Sequence, residues 1–116
     1  MNEDLFSALD HLAATSTVVI ERPRGSAHPR YPTAIYPLDY GYLDGTVSAD
    51  GDGIDLFRGS AVGTGVVAVA VIADIVKKDV EVKILLECTA DEIDTAAAFL
   101  RDTLGLGATI LQRAVS

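Results

Sequence analysis

At 116 residues the chain is long enough for one hydrophobic core and too short for two ordinary domains, so a single domain over 1–116 is expected. Its 49 % apolar and 22 % charged residues are those of a globular protein, with no low-complexity tract or internal repeat. The net charge of −8 argues against a nucleic-acid partner or an anionic membrane surface, because a phosphate backbone would be repelled rather than neutralised.

The start, Met1-Asn2-Glu3-Asp4, is acidic, unlike the basic n-region of a signal peptide, and the longest apolar stretch is too short to span a bilayer. A cytoplasmic location is therefore expected. Residues 3–14 carry Leu5, Phe6, Leu9, Leu12 and Ala13 at helical spacing, with acids in the first turn and His11 on the helix surface. Thr17 to Glu21 is a β-branched run ending in a charge, and Pro23, Gly25, Pro29 and Pro32 then forbid regular structure through about residue 34. Gly59 to Gly65 lacks the lysine of a P-loop and reads as a turn between strands.

Val66–Val76 and Val80–Cys88 read as a hairpin turning at Lys77-Lys78. In its second arm Asp79, Glu81 and Lys83 alternate with Val80, Val82 and Ile84, which places three charged groups on one face. Thr89-Ala90-Asp91-Glu92 is a capping box ahead of the stripe Ile93, Ala96, Ala97, Leu100 and Leu104, and Gly105 sits where a C′ glycine belongs. Ala108–Val115 is a candidate last strand. The whole is expected to be an α+β fold, a small barrel or curled sheet with helices against it.

The chemistry points to Asp50-Gly51-Asp52-Gly53-Ile54-Asp55, where three carboxylates fall in six residues. Carboxylates this crowded repel one another, so a hard cation such as magnesium is the natural compensating charge, a solvated acidic turn being the alternative. An EF-hand is excluded, because counting from Asp50 the glycine of position 6 is Asp55 and the glutamate of position 12 is Ala61. Arg22, Arg24 and Arg30 precede this acidic segment, and a basic segment beside an acidic one suits a metal-chelated anion. On a regular strand Arg22 points opposite to Glu21 and so away from the site, whereas Arg24 and Arg30, on the loop, are the better candidates for phosphate contact. Cys88, the only cysteine, reads as a small buried apolar residue, and two histidines without metal-ligand spacing make a zinc site improbable.

The order of these parts, Val18-Val19-Ile20-Glu21, a basic loop, Tyr36-Pro37-Leu38-Asp39-Tyr40-Gly41-Tyr42, the aspartates with Leu56, then Glu81-Val82-Lys83, resembles family I soluble inorganic pyrophosphatases from about Val18 to Phe99. The resemblance implies a five-stranded OB-like barrel with flanking helices. It also implies Mg2+-dependent hydrolysis of inorganic pyrophosphate to phosphate by a metal-activated water, and a homo-oligomer. By position Asp50, Asp55 and Glu81 look like metal ligands, with Asp79 a further candidate, and Asp52 looks like the base that orients the water. Glu21 would hold water behind the metal, Tyr40 would hydrogen-bond into the network, and Lys83 would contact a phosphate or the metal carboxylates.

The departures from the family concern phosphate binding. Its basic-loop lysine is Arg30 here, the glutamate two residues later is Pro32, a segment with a phosphate-binding arginine is absent before Tyr36, and its late Tyr-Lys pair falls near Asp102-Thr103. Each lost charge-assisted bond weakens the hold on a small anion by roughly 1.5–3 kcal/mol. Two rivals follow: a metal-dependent hydrolase of another phosphate substrate, and a non-catalytic barrel that binds metal or phosphate. A nucleic-acid-binding OB module is disfavoured by the charge.

Overall fold

Glu3 and Asp4 oppose the positive end of the first helix dipole, and the apolar spacing that follows carries helix α1 over Glu3–Thr15. The computed structural model describes residues 3–114; Val115, in the expected last strand, lies outside them. Six strands follow: β1 Thr17–Arg22, β2 Asp39–Asp44, β3 Ile54–Arg58, β4 Val66–Asp74, β5 Asp79–Leu86 and β6 Gly107–Gln112. Helix α2, Ala90–Ala98, stands between β5 and β6 and runs on into a π-helical turn at Phe99–Thr103.

The strands form one mixed sheet in the order β1-β2-β3-β5-β4-β6, antiparallel except where β3 pairs with β5. The fold is thus α+β and OB-like as expected, with six strands rather than five and no pairing of β1 with β6 among the described residues. The hairpin turns at the lysines, where Lys78 takes φ 58. At Thr89 the capping box forms, the side chain accepting from the Glu92 amide while Glu92 accepts from the Thr89 amide, and Gly105 takes φ 66 after the last helical turn.

Strand alternation distributes the core to both faces of the sheet. Leu56, Val69 and Ile84 pack with Phe6 of α1 on one face, while Phe57, Ala70 and Leu85 pack with Ile93, Ala96 and Phe99 on the other. Cys88 is buried in this second cluster, and burial pushes its thiol up to about 12. Beyond the reach of α1 the first face carries exposed Val71, Val80 and Val82, so on β5 the apolar side chains look outward and the charged ones inward. Among the described residues no helix is long and apolar enough to cross a membrane.

Asp10 ties α1 to the sheet. Its carboxylate accepts from the Val66 amide at 2.9 Å and from Arg113 Nη1 at 2.7 Å. Burial pushes the Asp10 carboxyl up, but the Val66 and Arg113 bonds outweigh it and hold the pKa below its ordinary value. A lowered folded-state pKa contributes stability that is present above the unfolded value and is lost as pH falls through the folded one. Asp10→Ala is therefore expected to cost about 1 kcal/mol at pH 7, discounted for its partial exposure, with the deficit shrinking below about pH 4. Urea unfolding of both proteins across that range checks it; a deficit independent of pH would count against the ion pair.

Candidate functional site

Strands β2, β3 and β5 lie side by side, and on the α2 face their alternation presents Tyr40, Asp55, Glu81 and Lys83. These line an open cleft of ≈ 800 Å³ together with Glu21 of β1 and Asp50 and Asp52 of the turn before β3. The proline-rich loop adds His28, Arg30 and Tyr31, and the β4–β5 turn adds Asp74, Ile75, Val76 and Lys77. Phe99 and Leu104 to Leu106 complete the lining from the end of α2.

Lys83 organises the acidic part. Its Nζ donates to Tyr40 Oη at 2.6 Å and to Asp55 Oδ2 at 3.1 Å and lies 3.6 Å from Glu81 Oε2. The lysine side chain is 10 % exposed against 33 % for Asp55 and 23 % for Glu81, so a nearly buried ammonium holds two carboxylates that still reach solvent. An ammonium donates three hydrogens and is costly to bury unpaired, which these three partners offset. Burial, reinforced by the Asp55 charge, raises the Tyr40 phenol far above its usual range. Tyr40 therefore stays protonated, accepts from Lys83 and keeps its own hydrogen to donate.

Asp50 turns back on its own loop. Its Oδ1 accepts from Ser48 Oγ and from the Asp52 amide at 3.0 Å, and the Ser48 bond, then the Asp52 bond, hold its carboxyl below the ordinary range. The Ser48 amide donates to the Asp52 carbonyl at 2.7 Å, so the turn is closed by hydrogen bonds despite its two glycines. A Cβ at Gly53 would meet the Leu43 carbonyl and the Tyr42 ring, both at 2.9 Å. The tight packing there holds Asp52 and Asp55 on either side of Gly53.

Two expected positions are not brought into the lining. Arg24 is exposed and donates its backbone N–H to Asp39 Oδ1 at 2.9 Å, and Asp79 shares the face of Glu81 but stands at the exposed start of β5. Conversely, Arg22, expected to point away, lines the cleft. The cause is a β-bulge: Ile20 pairs with Gly41 and Arg22 with Tyr40, so Glu21 is an extra residue that breaks the alternation and leaves Glu21 and Arg22 both facing the site. Arg22 Nη1 donates to Tyr36 Oη at 2.5 Å, and its guanidinium lies 5.4 Å from the Tyr40 ring centroid. Asp74, Lys77 and His28 were also missed; only the charges beside the hairpin turn offered a sequence signal for Asp74 and Lys77.

His28 is fixed as a neutral ring. Nδ1 accepts from the Arg30 and Tyr31 amides at 3.0 and 3.3 Å, which places the imidazole hydrogen on Nε2. Burial, then the positive charges of Arg22 and Arg30, lower its pKa below the ordinary value. The ring stacks on Tyr36 at 5.9 Å between centroids and 8° between planes, and lies 5.0 Å from Tyr31.

Six carboxylates and four cationic side chains line the cleft, all the acids being hard oxygen donors. Among the described residues no three of them converge as a ready-made cage. Magnesium keeps several of its waters and is commonly held by one or two carboxylates plus substrate phosphates, and this dispersed donor set fits it in that form. Asp50, Asp55 and Glu81, expected as its ligands, all line the cleft.

No protein-family model matches the chain, and no curated protein matches it in sequence. Solved structures do. An inorganic pyrophosphatase from Neisseria gonorrhoeae superposes with a TM-score of 0.57 at 20 % identity, over 84 % of this chain and 79 % of the other. An inorganic phosphatase from Anaplasma phagocytophilum superposes with a TM-score of 0.56, also at 20 % identity, over 82 % of this chain and 81 % of the other. The chain shares its fold with these proteins.

Proposed function

We infer, from a fold shared with an inorganic pyrophosphatase, that this cleft hydrolyses a phosphoanhydride, with inorganic pyrophosphate the reference substrate and Mg2+ the cofactor. The observation that carries the reading is the gathering of Glu21, Asp50, Asp52, Asp55 and Glu81 from three separate stretches of chain around the nearly buried Lys83. Bound magnesium would lower the pKa of a water and neutralise charge on phosphoryl oxygens.

The chain's own residues do the rest. Asp52, exposed on its turn, accepts the proton of the attacking water. Lys83 and Tyr40 fix Asp55 and Glu81 in orientation, while Glu21 orders water at the rim. Arg30, with Arg22 and Lys77, supplies positive charge for phosphate oxygens.

The test is release of phosphate from pyrophosphate, followed colorimetrically. Release well above background with magnesium, abolished by a chelator and restored by added magnesium, is expected. Background rates with pyrophosphate and with every other phosphoanhydride tried would overturn the reading in favour of a non-catalytic barrel.

A further inference from the structure

The part of the cleft that an inorganic anion does not use is built from rings and aliphatic side chains. Tyr31 is 51 % exposed at the mouth, His28 lies against it, and Ile75 and Val76 of the β4–β5 turn line the same cleft at 87 % and 84 % exposure. Large apolar side chains left open to water beside a polar site mark a place where a ligand brings apolar surface. A cleft of ≈ 800 Å³ is also in the range that holds organic ligands of drug size, far above what a bare pyrophosphate fills.

The electrostatics agree. With six acids against four cationic side chains, the cleft offers a naked polyanion little net attraction, so part of the binding energy has to come from uncharged contacts. The uncharged contacts available have a particular chemistry. His28 is held neutral with its hydrogen on Nε2, and Tyr31 carries a hydroxyl; both present a π-face with a polar edge. A planar heteroaromatic group uses the face and the edge together, whereas an alkyl tail would leave both edges unpaired.

We propose that the substrate is a phosphoanhydride carrying a nucleobase, a nucleoside di- or triphosphate, whose phosphates lie toward Asp55 and Glu81 and whose base stacks on Tyr31 and His28. The proposal rests on the hydrolase reading above and names its substrate class. In the reaction the water oxygen forms a new bond to phosphorus as the bridging P–O bond breaks. The leaving phosphate takes the electron pair, and the water's proton passes to Asp52.

Initial rates with magnesium on nucleoside triphosphates, nucleoside diphosphates, a prenyl diphosphate and pyrophosphate test it, together with calorimetric titration of the same compounds in the presence of magnesium. A nucleotide is expected to show kcat/KM at least tenfold above pyrophosphate. Tyr31→Ala is expected to lower that preference about tenfold, the factor that loss of one base–aromatic stack brings. Pyrophosphate preferred by the wild type, with Tyr31→Ala changing both substrates equally, overturns the proposal and leaves the hydrolase reading standing. Tighter binding of the prenyl diphosphate than of any nucleotide also overturns it. If nothing is turned over, the hydrolase reading fails, and nucleotide binding weakened about tenfold by Tyr31→Ala still decides the base site; no nucleotide binding rejects it.

Discussion

Asp55→Asn is expected to lower magnesium-dependent phosphate release at least about a hundredfold while leaving the fold intact. The substitution is isosteric, and Asp55 is one third exposed on β3, where its backbone pairs with Tyr42 whatever its side chain carries. The change is therefore one of charge. The Lys83 ammonium, 3.1 Å away, keeps Tyr40 and Glu81 as partners, so the pocket does not collapse onto an orphaned cation. What is lost is one of the few carboxylates that combine solvent access with a fixed orientation, the properties needed to hold a partly hydrated cation next to a phosphate. Steady-state rates across a magnesium series, with thermal unfolding of both proteins as a control, check this. A variant with the wild-type rate at saturating magnesium would remove Asp55 from the site.

Gly41→Ala should destabilise the protein by more than about 4 kcal/mol, at the upper extreme for a single substitution. A Cβ built at Gly41 would stand 1.8 Å from the Val19 carbonyl oxygen, 2.8 Å from its carbon and 2.9 Å from Ile20 Cα. All three are backbone atoms, so no side chain can swing aside and β1 would have to leave β2 at the Ile20–Gly41 pair. The glycine of the Tyr40-Gly41-Tyr42 segment is thus required by the close approach of the neighbouring strand, at a position with no unusual φ. Urea unfolding, or loss of soluble expression, reads the effect. An alanine variant within about 1 kcal/mol of the wild type would show that the strands relax far more easily than close packing allows.

What could be read in the sequence was local. The capping box at Thr89 and Glu92, the turn at Lys77-Lys78 and the buried Cys88 depend on neighbours within a few residues, and their types declare them. The acidic loop was visible for the same reason, and the alternation of Glu81 and Lys83 placed them together on one face. What failed depended on register between distant strands. Nothing near Glu21 announces an extra residue, because the bulge exists only relative to Tyr40 and Gly41, so strict alternation sent Arg22 the wrong way. Arg24 looked like a phosphate ligand by type and position, yet its placement is set by a backbone bond to Asp39, fifteen residues further along. Ile75, Val76 and Tyr31 carried no signal as cleft residues, since the β4–β5 turn and the proline-rich loop meet only in the folded chain.

The bulge at Glu21 also bears on how such a cleft can be altered. Both faces of β1 are specified by its phase against β2, and one supernumerary residue shifts that phase for everything after Ile20. Deleting it would leave Arg22 opposite Tyr40, still facing the cleft by ordinary alternation, and would subtract the Glu21 carboxylate without replacing any other side chain there. Insertion and deletion in an edge strand can therefore retune the charge presented to an anion while every carboxylate on β3 and β5 stays where it was.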